Sequence, residues 1–168
     1  MKTVTFGGNP VTLTGEQVKA GDKALEFTAL DNSLKPVKMS DFKGKVKLIS
    51  VFPSIDTSVC SVQNHKFNKT ASEFGDKVVF LAISNDLPFA LKRFCGAEGI
   101  TNLVTLSDHR DLEFGTNYGF LIKELRLLAR GVVIIDKDDI IKYVEYVPEI
   151  AQEPNYDAAI KVLKELVK

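Results

Sequence analysis

Apolar and polar positions divide the chain into blocks of two different periods. Residues 1–15 alternate Thr with Val, Phe and Leu around Gly7-Gly8-Asn9-Pro10, which predicts a β-hairpin. From Lys19 to Met39 no period is sustained, and Gly21-Asp22 and Asp31-Asn32 mark turns, so the segment reads as loop. Val46–Phe52 is mostly apolar and β-branched, the pattern of a buried strand, and Pro53 stops it. Ser61–Phe74 places Phe67, Ala71 and Phe74 on one stripe and reads as a helix; Val78–Ser84 is a second apolar strand. This strand–helix–strand order is a βαβ unit, which requires parallel strands and a right-handed crossover.

Beyond it, Asp86 and Pro88 open a short helix, Leu87–Cys95, which Gly96 and Gly99 end. Leu103–Leu106 reads as a short strand and Leu112–Tyr118 as a short helix. Val132–Asp136 and Ile140–Tyr146 form a hairpin across Lys137-Asp138-Asp139. In the last helix Asn155 is the cap, and Tyr156, Ala159, Ile160, Leu163 and Val167 share one apolar face. A hairpin appended to a parallel unit makes the class α/β with a mixed central sheet. No repeat, linker or low-complexity tract divides residues 1–168, so a single domain is expected.

Composition narrows the function classes. Lys+Arg and Asp+Glu are both 22, so the chain lacks the net positive field on which sequence-independent nucleic-acid binding rests. Hydrophobic residues at 45% and charged residues at 26% suit a folded domain rather than a disordered one. The longest apolar run, Val78–Ile83, is far short of a membrane span, and no apolar stretch of a secretory signal follows Lys2. A soluble protein of a reducing, cytoplasmic compartment is expected. Two cysteines, Cys60 and Cys95, with no C-x-x-C, are too few for a disulfide-stapled scaffold.

Cys60 is the first candidate for chemistry. Pro53-Ser54-Ile55-Asp56-Thr57-Ser58-Val59-Cys60 runs from the C-terminal end of a buried strand into the first turn of a helix. Sites form at that edge of open α/β sheets, and the helix N-terminus favours a thiolate. The bland reading is a small core hydrophobe, because Cys60 also falls on the Phe67–Ala71–Phe74 stripe. Acidity alone would accomplish little here. Lowering a thiol pKa from about 8.5 to about 6 raises the thiolate fraction at pH 7 about thirtyfold. The same change costs about tenfold to twentyfold in nucleophilicity. A fast cysteine enzyme therefore needs donors for the leaving group: backbone N–H groups, the Thr57 hydroxyl and a cation.

The other polar residues weigh less. Cys95, at the end of its short helix, reads as a free cysteine on a frayable segment; whether it meets Cys60 depends on a distance that spacing does not supply. His65 points away from Cys60 on the helix, and His109 lies in the turn-like run Ser107-Asp108-His109-Arg110, so neither a Cys–His hydrolase nor a zinc site is supported. Lys35, Lys38, Lys43, Lys45 and Lys47 read as a solvated face. Arg126 and Arg130 flank Leu127-Leu128-Ala129; arginines four residues apart read as the surface of a helix, yet Arg130, adjoining Val132–Ile135, is not easily left wholly exposed. Gly7-Gly8 in a hairpin is no phosphate loop.

Pro53-x-x-x-Thr57-x-x-Cys60 resembles the active-site motif of the peroxiredoxin family, with Arg130 where that family's distal arginine is expected. Ser54-Ile55-Asp56-Thr57, Asp86-Leu87-Pro88-Phe89-Ala90, Lys92-Arg93-Phe94-Cys95, Leu106-Ser107-Asp108-His109-Arg110 and Leu128-Ala129-Arg130 are similar to the family's thiol peroxidase subgroup, in order and over nearly the whole chain. The resemblance implies a thioredoxin-like fold, a homodimer, and reduction of hydrogen peroxide and organic hydroperoxides at the expense of thioredoxin, with no metal or organic cofactor. It implies a peroxidatic Cys60 that becomes a sulfenic acid and a resolving Cys95 that closes an intrachain disulfide. Thr57 and Arg130 would hold the thiolate and the peroxide, and Pro53 would shield the sulfur. Two positions depart from the subgroup: Ser58 replaces its usual proline, and Phe120 a smaller residue, with a wall of the hydroperoxide site or the dimer contact as its expected place. Phe89, Leu91, Phe94 and Phe120 suggest an apolar approach for organic substrates. The alternatives are a thioredoxin-fold peroxide sensor or redox relay without rapid turnover, an interaction domain with incidental cysteines, and a monothiol transferase that leaves Cys95 idle.

Overall fold

The computed structural model describes residues 2–168. Strands β1 (Lys2–Phe6) and β2 (Asn9–Thr14) form the N-terminal hairpin, and β8 (Leu121–Ile122) joins β2 to complete a small three-stranded sheet. The main sheet takes β3 (Thr28–Leu30), β4 (Pro36–Lys38), β5 (Val46–Val51), β6 (Val78–Ser84), β7 (Val104–Ser107), β9 (Gly131–Ile135) and β10 (Ile141–Tyr146). Its order is β10-β9-β5-β6-β7-β3-β4. Strands β5, β6 and β7 run parallel, with β9 antiparallel to β5 and β3 antiparallel to β7. The helices are α1 (Ser58–Phe74), α2 (Pro88–Glu98), α3 (Glu113–Tyr118) and α4 (Tyr156–Leu166).

The mixed sheet expected from the sequence is present, and its central strands are mostly apolar because both faces are covered. Alternation along each strand divides the interior in two. Leu48, Phe80, Ala82, Val132 and Ile134 face α1, α2 and α4, where Cys60, Phe67, Leu91, Ala159 and Leu163 meet them. Ile49, Val51, Leu81, Ile83, Val133 and Ile135 face the other way, onto Phe27, Phe114, Tyr118, Phe120 and the N-terminal hairpin.

Five local expectations are corrected. The stretch read as loop, Lys19–Met39, contains the β3–β4 hairpin: each strand is three residues, too short to show a period, and Pro36 sits on the edge strand, where its missing N–H is tolerated. Helix α1 starts at Ser58, not Ser61, because Thr57 caps it. Helix α2 runs through Cys95 and Gly96 to Glu98, since an interior glycine weakens a helix by only about 1 kcal/mol; Gly99, at φ +66°, ends it. Arg126 is on no helix; it adopts φ 52° in the turn after β8 and is exposed. Lys47 is not part of a solvated face: it is fully buried and donates to Asp139 at 2.8 Å and to the Phe42 carbonyl at 3.3 Å, an ion pair made possible because β5 is central and its neighbours close over it.

Candidate active site

The junction between β5 and α1 is built by hydrogen bonds to one carboxylate. Asp86, just after β6, accepts from the Ser54 hydroxyl at 2.8 Å, the Ile55 N–H at 2.9 Å and the Ser84 hydroxyl at 2.6 Å. The Ser54 hydroxyl in turn receives the Asp56 N–H at 3.1 Å. Ser107 at the end of β7 donates to the Asp86 carbonyl at 2.5 Å. Three parallel strand ends are thereby tied to the loop that carries Pro53, which is buried. The Thr57 hydroxyl accepts the Cys60 N–H at 3.3 Å and faces the Ser54 carbonyl, also at 3.3 Å. Its position is that of a helix cap beside the sulfur.

Cys60 is completely buried in the first turn of α1. The Arg130 guanidinium, itself 1% exposed, donates from Nη1 to Cys60 Sγ at 3.2 Å and to Gln63 Oε1 at 2.8 Å. Its Nε donates to the Ile150 carbonyl at 2.6 Å. Gln63 completes the network through Nε2, which reaches Ser50 Oγ at 2.7 Å and the Val51 carbonyl at 3.2 Å. Sheet register explains the meeting: Gly131, next to Arg130, is paired with Val51 at the end of β5, just before the loop to α1. Gly131 has to be glycine, because a Cβ there would lie 2.1 Å from the Glu145 carbonyl oxygen on β10. An unpaired buried guanidinium is very costly; here the sulfur, an amide and a carbonyl take its protons.

Cys95 stands apart from this cluster. Both thiols are free, and Cys95, half-buried in the last turn of α2, has its sulfur 3.6 Å from Thr105 Oγ1 on β7. It opens on a cavity of about 240 Å³ with Asn32, Ser33 and Thr105. Another face of α2 presents Arg93, Phe94 and Ala97 to a cleft of about 510 Å³ whose other wall is Ile55, Thr57 and Ser61. The two faces of α2 thus separate Cys95 from the mouth of the Cys60 loop.

Similarity to known proteins agrees with this arrangement. The Redoxin family model matches residues 19–160. The chain belongs to that family. A thiol peroxidase of Listeria innocua is 56% identical over 164 residues, covering 98% of this chain and 99% of its own length. A thiol peroxidase of Bacillus subtilis is 53% identical over 168 residues, with both chains covered completely. Among solved structures, a peroxiredoxin-like protein from Aquifex aeolicus superposes with a TM-score of 0.93 at 40% identity, over 99% of this chain and 98% of its own. Identity of this extent places the chain in the thiol peroxidase branch.

Of the two departures from that branch's pattern, Ser58 is the first residue of α1, a position where proline or serine fits equally because the N–H has no intrahelical partner. Phe120 is not a wall of the site. It is fully buried on the opposite side of the main sheet from Cys60, stacked on Tyr146 at 4.5 Å and Phe114 at 5.8 Å between ring centres. Among the four apolar residues expected to line an approach, only Phe94 borders the cleft; Leu91 is core and Phe89 is 67% exposed outside it. The histidines do not join the cysteines: His65 Nε2 lies 3.5 Å from Glu98 Oε1, and His109 is exposed. Among the described residues no group of three or more His, Cys, Asp or Glu side chains converges to hold a metal, and no helix is long and apolar enough to cross a membrane.

Sequence reasoning singled out Cys60 and Arg130 but missed Gln63, Asp86 and Ser84. The signal for Gln63 was its helical spacing: three residues after Cys60, a polar side chain on the buried stripe needs a partner.

Proposed function

We propose that this thiol-dependent peroxidase reduces hydrogen peroxide and organic hydroperoxides through a sulfenic acid on Cys60 and an intrachain Cys60–Cys95 disulfide, which thioredoxin reduces. The observation that supports the reading best is the Arg130 guanidinium hydrogen-bonded to Cys60 Sγ at a capped helix N-terminus. The Cys60 thiolate attacks the terminal peroxide oxygen, the O–O bond breaks, and the alkoxide or hydroxide leaves and is protonated as alcohol or water. Cys60 is oxidised by two electrons to the sulfenic acid. Arg130 and the α1 amides stabilise the charge that moves to the departing oxygen, while Thr57 holds the helix end and Pro53 keeps water from the sulfur.

Cys95 then attacks the sulfenic sulfur, forming the disulfide and releasing water. For this α2 has to leave its place, since Cys95 faces Thr105 and not Cys60. Thioredoxin's dithiol returns both cysteines to thiols. The work fits antioxidant defence in a reducing cytoplasm, carried out by a homodimer. The test is non-reducing peptide mapping after one equivalent of hydroperoxide is added to the fully reduced protein. A Cys60–Cys95 peptide formed within seconds and lost on adding thioredoxin is the expected result. A Cys60 that remains a thiol overturns the assignment; a sulfenic or sulfinic Cys60 with Cys95 untouched removes the resolving role.

A further inference from the structure

Arg130 is aimed at the sulfur by one bond from outside the Cys60 cluster, the 2.6 Å contact of its Nε with the Ile150 carbonyl. Ile150 lies in the irregular segment after β10, which has no regular secondary structure of its own to hold it. Two backbone hydrogen bonds secure that segment to β1: the Thr5 N–H donates to the Pro148 carbonyl at 2.9 Å, and the Ile150 N–H donates to the Thr5 carbonyl at 2.7 Å. Between them Glu149 turns its carboxylate back toward the hairpin. It accepts from the Thr5 hydroxyl at 3.0 Å, the Gly7 N–H at 3.1 Å, the Gly8 N–H at 2.8 Å and the Ala151 N–H at 2.7 Å.

The turn makes this possible. Gly7 and Gly8 adopt φ +60° and +83°, and two successive left-handed residues point their N–H groups into one concavity that suits an anion. These donors hold the carboxyl down at about pKa 2, so the clamp stays charged through any pH at which the enzyme works. A half-buried carboxylate with four donors, on the residue before the one whose carbonyl orients Arg130, is more than a loop needs to stay attached.

Resting on the peroxidase reading above, we infer that Glu149 is a positioning residue for Arg130. It locks the N-terminal hairpin onto the Ile150 segment, so that the Ile150 carbonyl holds the guanidinium against Cys60 Sγ. The hairpin, remote in sequence from both residues, thereby becomes part of the machinery for peroxide attack. Releasing the clamp frees the carbonyl to drift and the guanidinium with it, and misplacement on the ångström scale is enough to slow a preorganised reaction.

The experiment is a double-mutant cycle on the single-turnover oxidation of Cys60 by hydrogen peroxide, with Glu149→Ala and Arg130→Met. Glu149→Ala is expected to slow the step about tenfold. Glu149→Gln, which keeps one acceptor oxygen, is expected to lose less. In the Arg130→Met background Glu149→Ala should add no further loss. The pH midpoint for alkylation of Cys60 should move upward in Glu149→Ala, while alkylation of Cys95 does not change; a loss of fold would alter both. A wild-type rate in Glu149→Ala, or an equal loss with and without Arg130, overturns the inference. Were Arg130→Met itself to react at the wild-type rate, the reading of Arg130 would fail, and that failure is distinguishable from the first.

Discussion

The two cysteines occupy regions of opposite design. Cys60 is fully buried, its turn capped by Thr57, its sulfur met by Arg130, and its loop tied by Asp86 to three strand ends. Cys95 is half-buried near the end of an eleven-residue helix whose N-cap side chain makes no hydrogen bond and whose last residues, Gly96 to Glu98, are exposed. Its sulfur has one weak polar contact, with Thr105 at 3.6 Å. A thiol that attacks a peroxide gains from fixed donors, since charge stabilisation costs no reorganisation when the donors are already in place. A thiol that must travel gains from a segment with little to lose on opening. The contrast teaches that the fold spends its polar network on one sulfur and withholds it from the other.

The sharpest way to break the comparison is to remove each sulfur. Cys60→Ser should abolish hydroperoxide reduction, a loss of at least about a thousandfold. Cys95→Ser should still consume one equivalent of peroxide but lose thioredoxin-dependent turnover, checked by coupled NADPH consumption. Arg130→Met should slow single-turnover oxidation of Cys60 by about a hundredfold or more, the usual cost of removing one preorganised donor; a rate close to wild type would mean that the helix amides suffice.

Smaller changes probe the rigidity of the Cys60 side. Asp86→Ala strips the acceptor from Ser54, Ile55 and Ser84 and should lower stability by about 2 kcal/mol, read by urea unfolding. Asp108, next to the Ser107 that joins this network, accepts from the Phe114 and Gly115 N–H groups at 3.0 and 2.9 Å, yet burial pushes its carboxyl up from 3.8 to about 6. A native state that holds this proton more tightly than the unfolded chain is favoured below about pH 4. That contribution is lost as pH rises through about 6. Unfolding free energy should therefore decline between pH 4 and 7 by on the order of 2 kcal/mol from this group, and Asp108→Asn should flatten that decline. On the Cys95 side, Gly99→Ala forces a Cβ into φ +66° and should cost about 1 kcal/mol. That is roughly a fivefold rise in amide exchange over α2, with α1 unchanged; equal change in both helices would show that they open together.

Much of this was legible in the chain before folding. The apolar runs of β5, β6 and β9 and the stripes of α1 and α4 are local patterns, and the strand-to-helix junction that singles out Cys60 is written in the eight residues from Pro53 to Cys60. The three-residue strands β3 and β4 were not, because nothing that short carries a period and only their pairing with each other, and of β3 with β7, makes them strands. Lys47 was misread for a similar reason: its half-buried partner, Asp139, is remote in sequence, and charge patterns see only neighbours. Cys60 and its helix dipole follow from the sequence alone, because propensity, capping and period are short-range properties. That Arg130 reaches the sulfur, that Gln63 and the Ile150 carbonyl orient it, and that Cys95 faces Thr105 were decided by strand order and register. Those are set by burial of both faces of the sheet, which no single segment can express.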